Sequence, residues 1–349
     1  MADPDRSVTL FRDASLQSRN TFGVPANAAV LAEVGDAAAL PALLASAEFS
    51  RQPPLVVGGG SNLLFVEDPQ PPVLVLTGRN VRVLTESPAG GIVRADAGVH
   101  WHGFVLDTLE CGFAGLENLA LIPGTVGAAP IQNIGAYGVE VREFIHVVEA
   151  FEPATGQLHR FDRDACRFDY RDSAFKQQPD RFIVTAVEFR LAHERRPVLD
   201  YAGIRDELRA MAVHSPTPRQ VADAVIAIRR RKLPDPAVLG NAGSFFKNPV
   251  VPAEQADALL AAHPALPVFR GRDTGSCKLS AAWLIDACCW KGHRDGDAGV
   301  AESHALVLVN HGKASGRELF DLARRIAQSV QVRFGVALEP EPRMIGARW

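Results

Sequence analysis

The sequence predicts a mixed protein of the α+β or α/β class built from more than one domain, and three observations carry that expectation. The chain has 349 residues, well beyond the roughly 150 of a typical domain, so two or three domains are expected. Strand-like and helix-like segments follow one another along it, opening as strand, helix, strand. Hydrophobic residues make up 47% and charged residues 22%, the balance of a packed globular protein rather than a disordered or fibrous one.

Residues 29–34 are apolar and read as the first strand. Asp36 can cap a helix through Ala38, Leu40, Leu43 and Leu44. Pro54 leads into Leu55-Val56-Val57, a buried strand that ends in Gly58-Gly59-Gly60-Ser61-Asn62 and is followed by the apolar run 63–66. Strands are expected at 73–76 and 92–95. A helix is expected over about 100–110, with Trp101, Phe104, Val105 and Leu109 on one face and Gly112 as its stop. Residues 147–151 and 158–161 form a hairpin around Thr155-Gly156, and 183–191 alternates as a strand.

Composition shifts at His193-Glu194-Arg195-Arg196-Pro197. Beyond it, Thr217-Pro218-Arg219-Gln220 has a capping-box pattern with proline at the first helical position. Val221, Ala224, Val225 and Ile228 then line one face of the helix. An apolar helix follows near 279–289, a strand at 304–309, a helix from the Ser315/Glu318 cap to about Phe334, and an extended segment at 338–345. No internal repeat or low-complexity tract is visible.

The formal net charge of -3, from 37 basic and 40 acidic residues, gives no bulk attraction to nucleic acid or an anionic membrane, although a local basic pocket is allowed. The start of the chain is polar and lacks an apolar signal core, and no run is long and apolar enough to span a bilayer. Cys111, Cys166, Cys277, Cys288 and Cys289 are odd in number without a Cys-x-x-Cys pair, which reads as reduced thiols. A cytoplasmic protein is expected. His293, His304 and His311 lack metal-ligand spacing, and no metal is expected.

Two glycine-rich stretches invite a ligand. Successive N–H groups over Gly58, Gly59, Gly60, Ser61 and Asn62 can converge into an anion nest suited to pyrophosphate, although such a run alone is more often a tight turn. Leu63 occupies the place where a dinucleotide fingerprint needs glycine or alanine, and strand rather than helix follows, so a Rossmann domain is disfavoured. The second stretch, 112–138, is apolar and nearly uncharged, unusual for a surface loop. Its small residues suit a flat ring laid against backbone, and equally a buried loop packed on a sheet.

Residues 115–138 closely resemble the flavin-binding segment of the MurB family, the UDP-N-acetylenolpyruvoylglucosamine reductases. Five further motifs follow in family order: Asn20-Thr21-Phe22-Gly23, Tyr170-Arg171-Asp172-Ser173, Lys232-Leu233-Pro234-Asp235-Pro236, residues 240–249 around Gly243-Ser244-Phe245-Phe246, and Leu338-Glu339-Pro340-Glu341. The fold that this resemblance implies is a p-cresol methylhydroxylase-like (VAO-type) FAD-binding domain in two α/β lobes, followed by a C-terminal α/β substrate domain. The expected blocks are 1–75 and 76–195 for the lobes, 196–216 for a substrate-loop connection and 217–349 for the substrate domain. Pro342 departs from the family, which has an aliphatic residue after the glutamate.

The resemblance implies a monomer that reduces UDP-N-acetylglucosamine enolpyruvate with NADPH through non-covalent FAD. FAD would lie on the glycine nest and on Pro123, Gly124, Thr125, Gly127, Ala128, Gln132, Asn133, Gly135, Ala136 and Tyr137. Ser244 resembles the proton donor. Arg171 would balance the substrate carboxylate with a planar charge. Glu341 would assist only if protonated or bridged to a cation, because a bare ionised carboxylate repels the substrate, so a raised pKa is expected. Tyr201, in the segment 197–203 that resembles the family subgroup's substrate loop, would bind the sugar nucleotide with Lys232 and Asn248. Each residue read alone has a plainer use: a turn serine, a surface ion pair, a strand-edge carboxylate, a solvated basic run. Two other readings remain: another flavoprotein of the same fold, either an oxidase or the flavin subunit of a larger dehydrogenase, and a non-catalytic nucleotide-sugar binding or regulatory protein.

Overall fold

The structure, a computed structural model, describes residues 7–201, 203–270 and 275–349. Residues 1–6 and Ala202, inside the expected substrate loop, lie outside the described residues. The chain divides into two units. Among the described residues the first contains 7–14, 28–60, 69–201 and 203–231, and the second contains 15–27, 61–68, 232–270 and 275–349. The expected blocks were contiguous, whereas these units interleave. The reason lies in pairing: Leu63–Phe65 runs parallel to Arg343–Ile345, and the Asn241 N–H donates to the Thr21 carbonyl at 2.9 Å.

The first unit contains two sheets. In the smaller, the strands lie in the order Val8–Ser15, Asn27–Val34, Val73–Leu76 and Leu55–Val56. The last three are parallel, with Leu31 opposite Val73 and Leu55 opposite Val73 on its other side. The helix expected after Asp36 is split into a 3₁₀ turn, Ala37–Ala39, and a short helix, Leu40–Leu44; the Asp36 carboxylate accepts from the Ala38 N–H, and Pro41 lies in the first turn.

The larger sheet is antiparallel, in the order Gln157–Asp162, Ile145–Glu152, Ile183–Ala192, Gly90–Asp96 and Val81–Ser87. Its two faces follow the two-residue period of a strand. Val148, Ala150, Val187 and Phe189 join a core with Trp101 and Phe104 of the helix Trp101–Glu110 and with Val225 and Ile228 of the helix Pro218–Lys232. Between these apolar positions lie charged ones, Arg94, Glu149 and Glu188, joined by Arg160 of the edge strand. Arg94 bonds Asp96 at 2.8 Å and Glu149 at 2.7 Å, and Arg160 bonds Glu149 at 2.6 Å and Glu188 at 2.9 Å. The buried carboxylates of Glu149 and Glu188, like the half-buried one of Asp96, are held because each has an arginine donor. The expected hairpin is present, with Gly156 in the left-handed region at φ 68°.

The second unit has a four-stranded antiparallel sheet in the order Gly240–Ser244, Val307–Asn310, Ala298–Val300 and Arg294–Asp295. A three-stranded sheet orders Val250–Pro252, Ser276–Leu279 and Val268–Arg270, with the helices Ala253–Ala262 and Ala281–Ala287 beside it in sequence. The long helix Gly316–Phe334 has the expected Ser315/Glu318 capping box and ends at Gly335 with φ 65°. The strand expected from 304 begins only at Val307, because the Val307 N–H closes a turn onto the His304 carbonyl at 3.0 Å. Of the expected extended end, only Arg343–Ile345 pairs as a strand.

Candidate active site

The strand Leu55–Val56 delivers Gly58, Gly59 and Gly60 against the second glycine-rich stretch of the same unit. A Cβ on Gly59 would lie 2.9 Å from the Gly124 Cα, and one on Gly58 2.7 Å from the Thr125 hydroxyl oxygen. Gly127 is equally constrained, since its Cβ would meet that of Ala97 at 2.5 Å. Backbone therefore meets backbone, and Gly60 turns with φ 63°. Ser61 and Asn62 belong to the second unit. There the Asn62 amide donates to the Glu341 carbonyl at 3.2 Å, and its own carbonyl accepts from Arg343 N–H at 2.9 Å.

From Ala120 to Gly138 no side chain is charged, yet Pro123 and Ile131 are exposed and Gly124, Ala128, Gln132, Gly135, Ala136 and Tyr137 half-buried. An uncharged apolar surface of this kind fits a flat, largely apolar ligand. Three bonds stitch it to the segment around Arg171. Arg171 Nη2 donates to the Gly135 carbonyl at 2.8 Å, Asn133 Nδ2 to the Asp169 carbonyl at 3.0 Å, and Ser173 Oγ to the Ile131 carbonyl at 2.6 Å. Arg171 itself has φ 53°. Tyr201, half exposed, sets its ring edge-on to Tyr137 at 5.4 Å between centroids. The buried Asn118 ties their segments together, donating to the carbonyls of Tyr137 at 3.0 Å and Val198 at 2.9 Å. Burial raises the Tyr137 hydroxyl pKa, against the pull of Arg229.

In the second unit Ser244 ends its strand opposite Val307, beyond an irregularity that follows Asn241. Gly243 turns with φ 69°, its N–H bonded to Asn241 Oδ1 at 3.0 Å. Phe245 and Phe246 are buried, and the Phe245 carbonyl accepts from the Glu341 N–H at 2.8 Å. Ser244 and Glu341 are thus brought together, one residue apart along this pairing, and Pro342 leaves the bond intact. Asn248 Oδ1 accepts from the Ala281 N–H at 3.0 Å. Lys232 is exposed at the end of its helix. Lys232 and Lys291, after burial itself, lower the pKa of His304, whose Nδ1 accepts from the Leu306 N–H at 3.2 Å.

Residues 28–162 match the family model of an FAD binding domain, and residues 235–345 match that of the UDP-N-acetylenolpyruvoylglucosamine reductase C-terminal domain. The reductase of Xanthomonas euvesicatoria pv. vesicatoria is 57% identical over 342 residues, 97% of each chain. The chain belongs to the UDP-N-acetylenolpyruvoylglucosamine reductase family. The Xylella fastidiosa reductase is 55% identical over 97% of each chain. The crystal structure of the Thermus caldophilus reductase superposes with a TM-score of 0.65 at 27% identity, covering 97% of this chain and 98% of that one. The expected two-part fold, a VAO-type FAD-binding domain plus the reductase's C-terminal domain, is borne out. Gly58 and Gly59 let the two loops meet without a side chain between them, and the uncharged, partly exposed run from Pro123 to Tyr137 beside them fits the flat ring of that cofactor. No helix of the described residues is long and apolar enough to cross a membrane. Among the described residues no cluster of His, Cys, Asp and Glu could hold a metal.

Sequence reading passed over several residues of this region. Asn118, His102 and Arg229 bond backbone groups far along the chain, at Val198 or Leu121, and a side chain aimed at a distant peptide leaves no local motif. His304 lacks metal-ligand spacing, so no motif marks it either. Its signal is the turn beside Ser244, which periodicity does not reveal.

Proposed function

We propose that this chain catalyses the NADPH-dependent, FAD-mediated reduction of UDP-N-acetylglucosamine enolpyruvate to UDP-N-acetylmuramate, in the synthesis of peptidoglycan precursors. The observation that carries this reading is the full-length 57% identity to a reductase of that name. The placement of Ser244 beside Glu341 supports it. When bound, FAD supplies hydride chemistry, relaying two electrons from NADPH to the enolpyruvyl double bond.

The protein's own residues handle binding, charge and the proton. Hydride arrival at the terminal carbon leaves negative charge on its neighbour and in the carboxylate, and Arg171 balances it with a fixed guanidinium. Ser244 delivers the proton. An alcohol is a weak acid, but a carbanion-like acceptor is basic enough to take its proton when positioned. No other group of the described residues bonds the Ser244 hydroxyl, which leaves it available to substrate. Glu341 assists where its charge is cancelled, by a proton or by a bridging cation. Tyr201, in the loop of the subgroup that covers its substrate, Lys232 and the Asn248 amide hold the sugar nucleotide.

In this reading residues 1–75, apart from the segments 15–27 and 61–68 that fold with the second unit, and 76–195 form the two lobes that hold FAD non-covalently. Residues 196–216 carry the substrate loop and 217–349 bind the sugar nucleotide. Gly58, Gly59, Gly60, Ser61 and Asn62 receive the pyrophosphate; Pro123 to Thr125, Gly127, Ala128, Gln132, Asn133 and Gly135 to Tyr137 line the ring system. A cytoplasmic monomer is part of the same reading. The test is NADPH consumption with the enolpyruvyl nucleotide present and absent, with the product identified by mass. The expected product is two hydrogens heavier than the substrate. Consumption that is independent of the nucleotide, without such a product, contradicts the proposal.

A further inference from the structure

Leu121 has φ 57°, in the left-handed region that a branched side chain disfavours. Its peptide groups are gripped from two helices. The Leu121 N–H donates to His102 Nδ1 at 3.1 Å, from the helix Trp101–Glu110, and its carbonyl accepts from Arg229 Nε at 3.2 Å, from the helix Pro218–Lys232. Neither group has a place in a helix or strand ladder, so each needs such a side-chain partner. Three residues later comes Gly124, whose carbonyl accepts from the Trp101 N–H at 3.1 Å and whose Cα is the atom a Gly59 Cβ would strike at 2.9 Å.

We propose that His102 and Arg229 are positioning residues for FAD: together they clamp Leu121 in its left-handed conformation and so aim Pro123-Gly124-Thr125 at the glycine nest. The inference rests on the reading that this nest and segment bind FAD. Neither side chain has another structural use that accounts for it. Among the described residues no carboxylate pairs with Arg229, the usual reason for a half-buried arginine. His102 can accept only as the neutral imidazole with Nδ1 bare. Burial keeps it so, helped by the charges of Arg230, Arg219 and Arg229.

The test uses the full-length protein stripped of flavin, with FAD rebinding followed by quenching of flavin fluorescence and visible circular dichroism of the bound ring. His102→Ala and Arg229→Met are expected to weaken FAD at least about tenfold, the loss expected when a half-buried peptide group has no partner. His102→Asn, whose Oδ1 can accept in place of Nδ1, should bind within about threefold of the parent and restore its dichroism. The His102 pair decides alone if Arg229→Met does not fold. A generic packing role would leave His102→Asn no better than His102→Ala, and that result overturns the clamp. FAD affinities within twofold of the parent for both disruptive variants also overturn it. A parent chain that binds no FAD sinks the underlying reading as well, which keeps the two failures distinct.

Discussion

At the scale of single residues, the proton-donor role proposed for Ser244 predicts different effects on the two half-reactions. Flavin reduction by NADPH needs no proton donor at the substrate carbon, so Ser244→Ala should leave that step nearly intact. Reoxidation by the enolpyruvyl nucleotide should slow by about 10²–10⁴-fold, the usual cost of losing a positioned acid. Ser244→Cys should recover part of the rate, since a thiol also donates. Stopped-flow absorbance reads each step, and equal slowing of both would make the serine positional rather than chemical. Gly59 permits a second, purely steric prediction. Gly59→Ala puts a methyl 2.9 Å from the Gly124 Cα, with backbone on both sides and no flexible side chain to yield. The purified variant should carry markedly less yellow flavin per chain than the parent. Full occupancy would mean the two loops are free to part.

At the scale of elements, the five-stranded sheet carries a charged layer whose acid sensitivity has a definite sign. Glu152 is 5% exposed and takes bonds from Arg181 at 2.7 Å, Thr155 at 3.0 Å and His159 at 3.0 Å. The Arg181 bond, with Thr155 and His159 adding to it, holds its pKa below the ordinary carboxylate value. A depressed folded pKa gives stability that is fully present above the unfolded value and lost as pH falls through the folded one. Thermal midpoints should therefore fall on acidification through and below pH about 4, and Glu152→Gln should flatten that fall while lowering the midpoint at neutral pH. Parallel curves for the two proteins would remove Glu152 from the account. Elements also show what sequence makes legible. The helices opening at Ser315/Glu318 and Thr217/Gln220 announce themselves because both partners of each cap lie within four residues. Val81–Ser87 does not, because every residue of this edge strand is exposed and no apolar alternation marks it. The strands Val250–Pro252 and Val268–Arg270 have three residues each, too few to show a period. The site divides in the same way. Glycine runs and the Ser244 motif are local strings, whereas the grip on Leu121 joins residues 102, 121 and 229.

At the scale of the whole molecule, the proposed enzyme takes two nucleotides in turn at one flavin. The sequence carries no separate NADPH motif, so both substrates should exclude each other and give parallel initial-rate lines. Intersecting lines, with substrate inhibition controlled, would place them in separate sites. The flavin should be released by acid precipitation into the supernatant; colour retained in the pellet would show a covalent link. The central claim is tested most directly by an anaerobic titration followed at the flavin's visible band. NADPH should bleach the oxidised spectrum, and one equivalent of UDP-N-acetylglucosamine enolpyruvate should then restore it without oxygen. A flavin that stays reduced until air is admitted would contradict the account, and the chain would then be a flavoprotein with another electron acceptor.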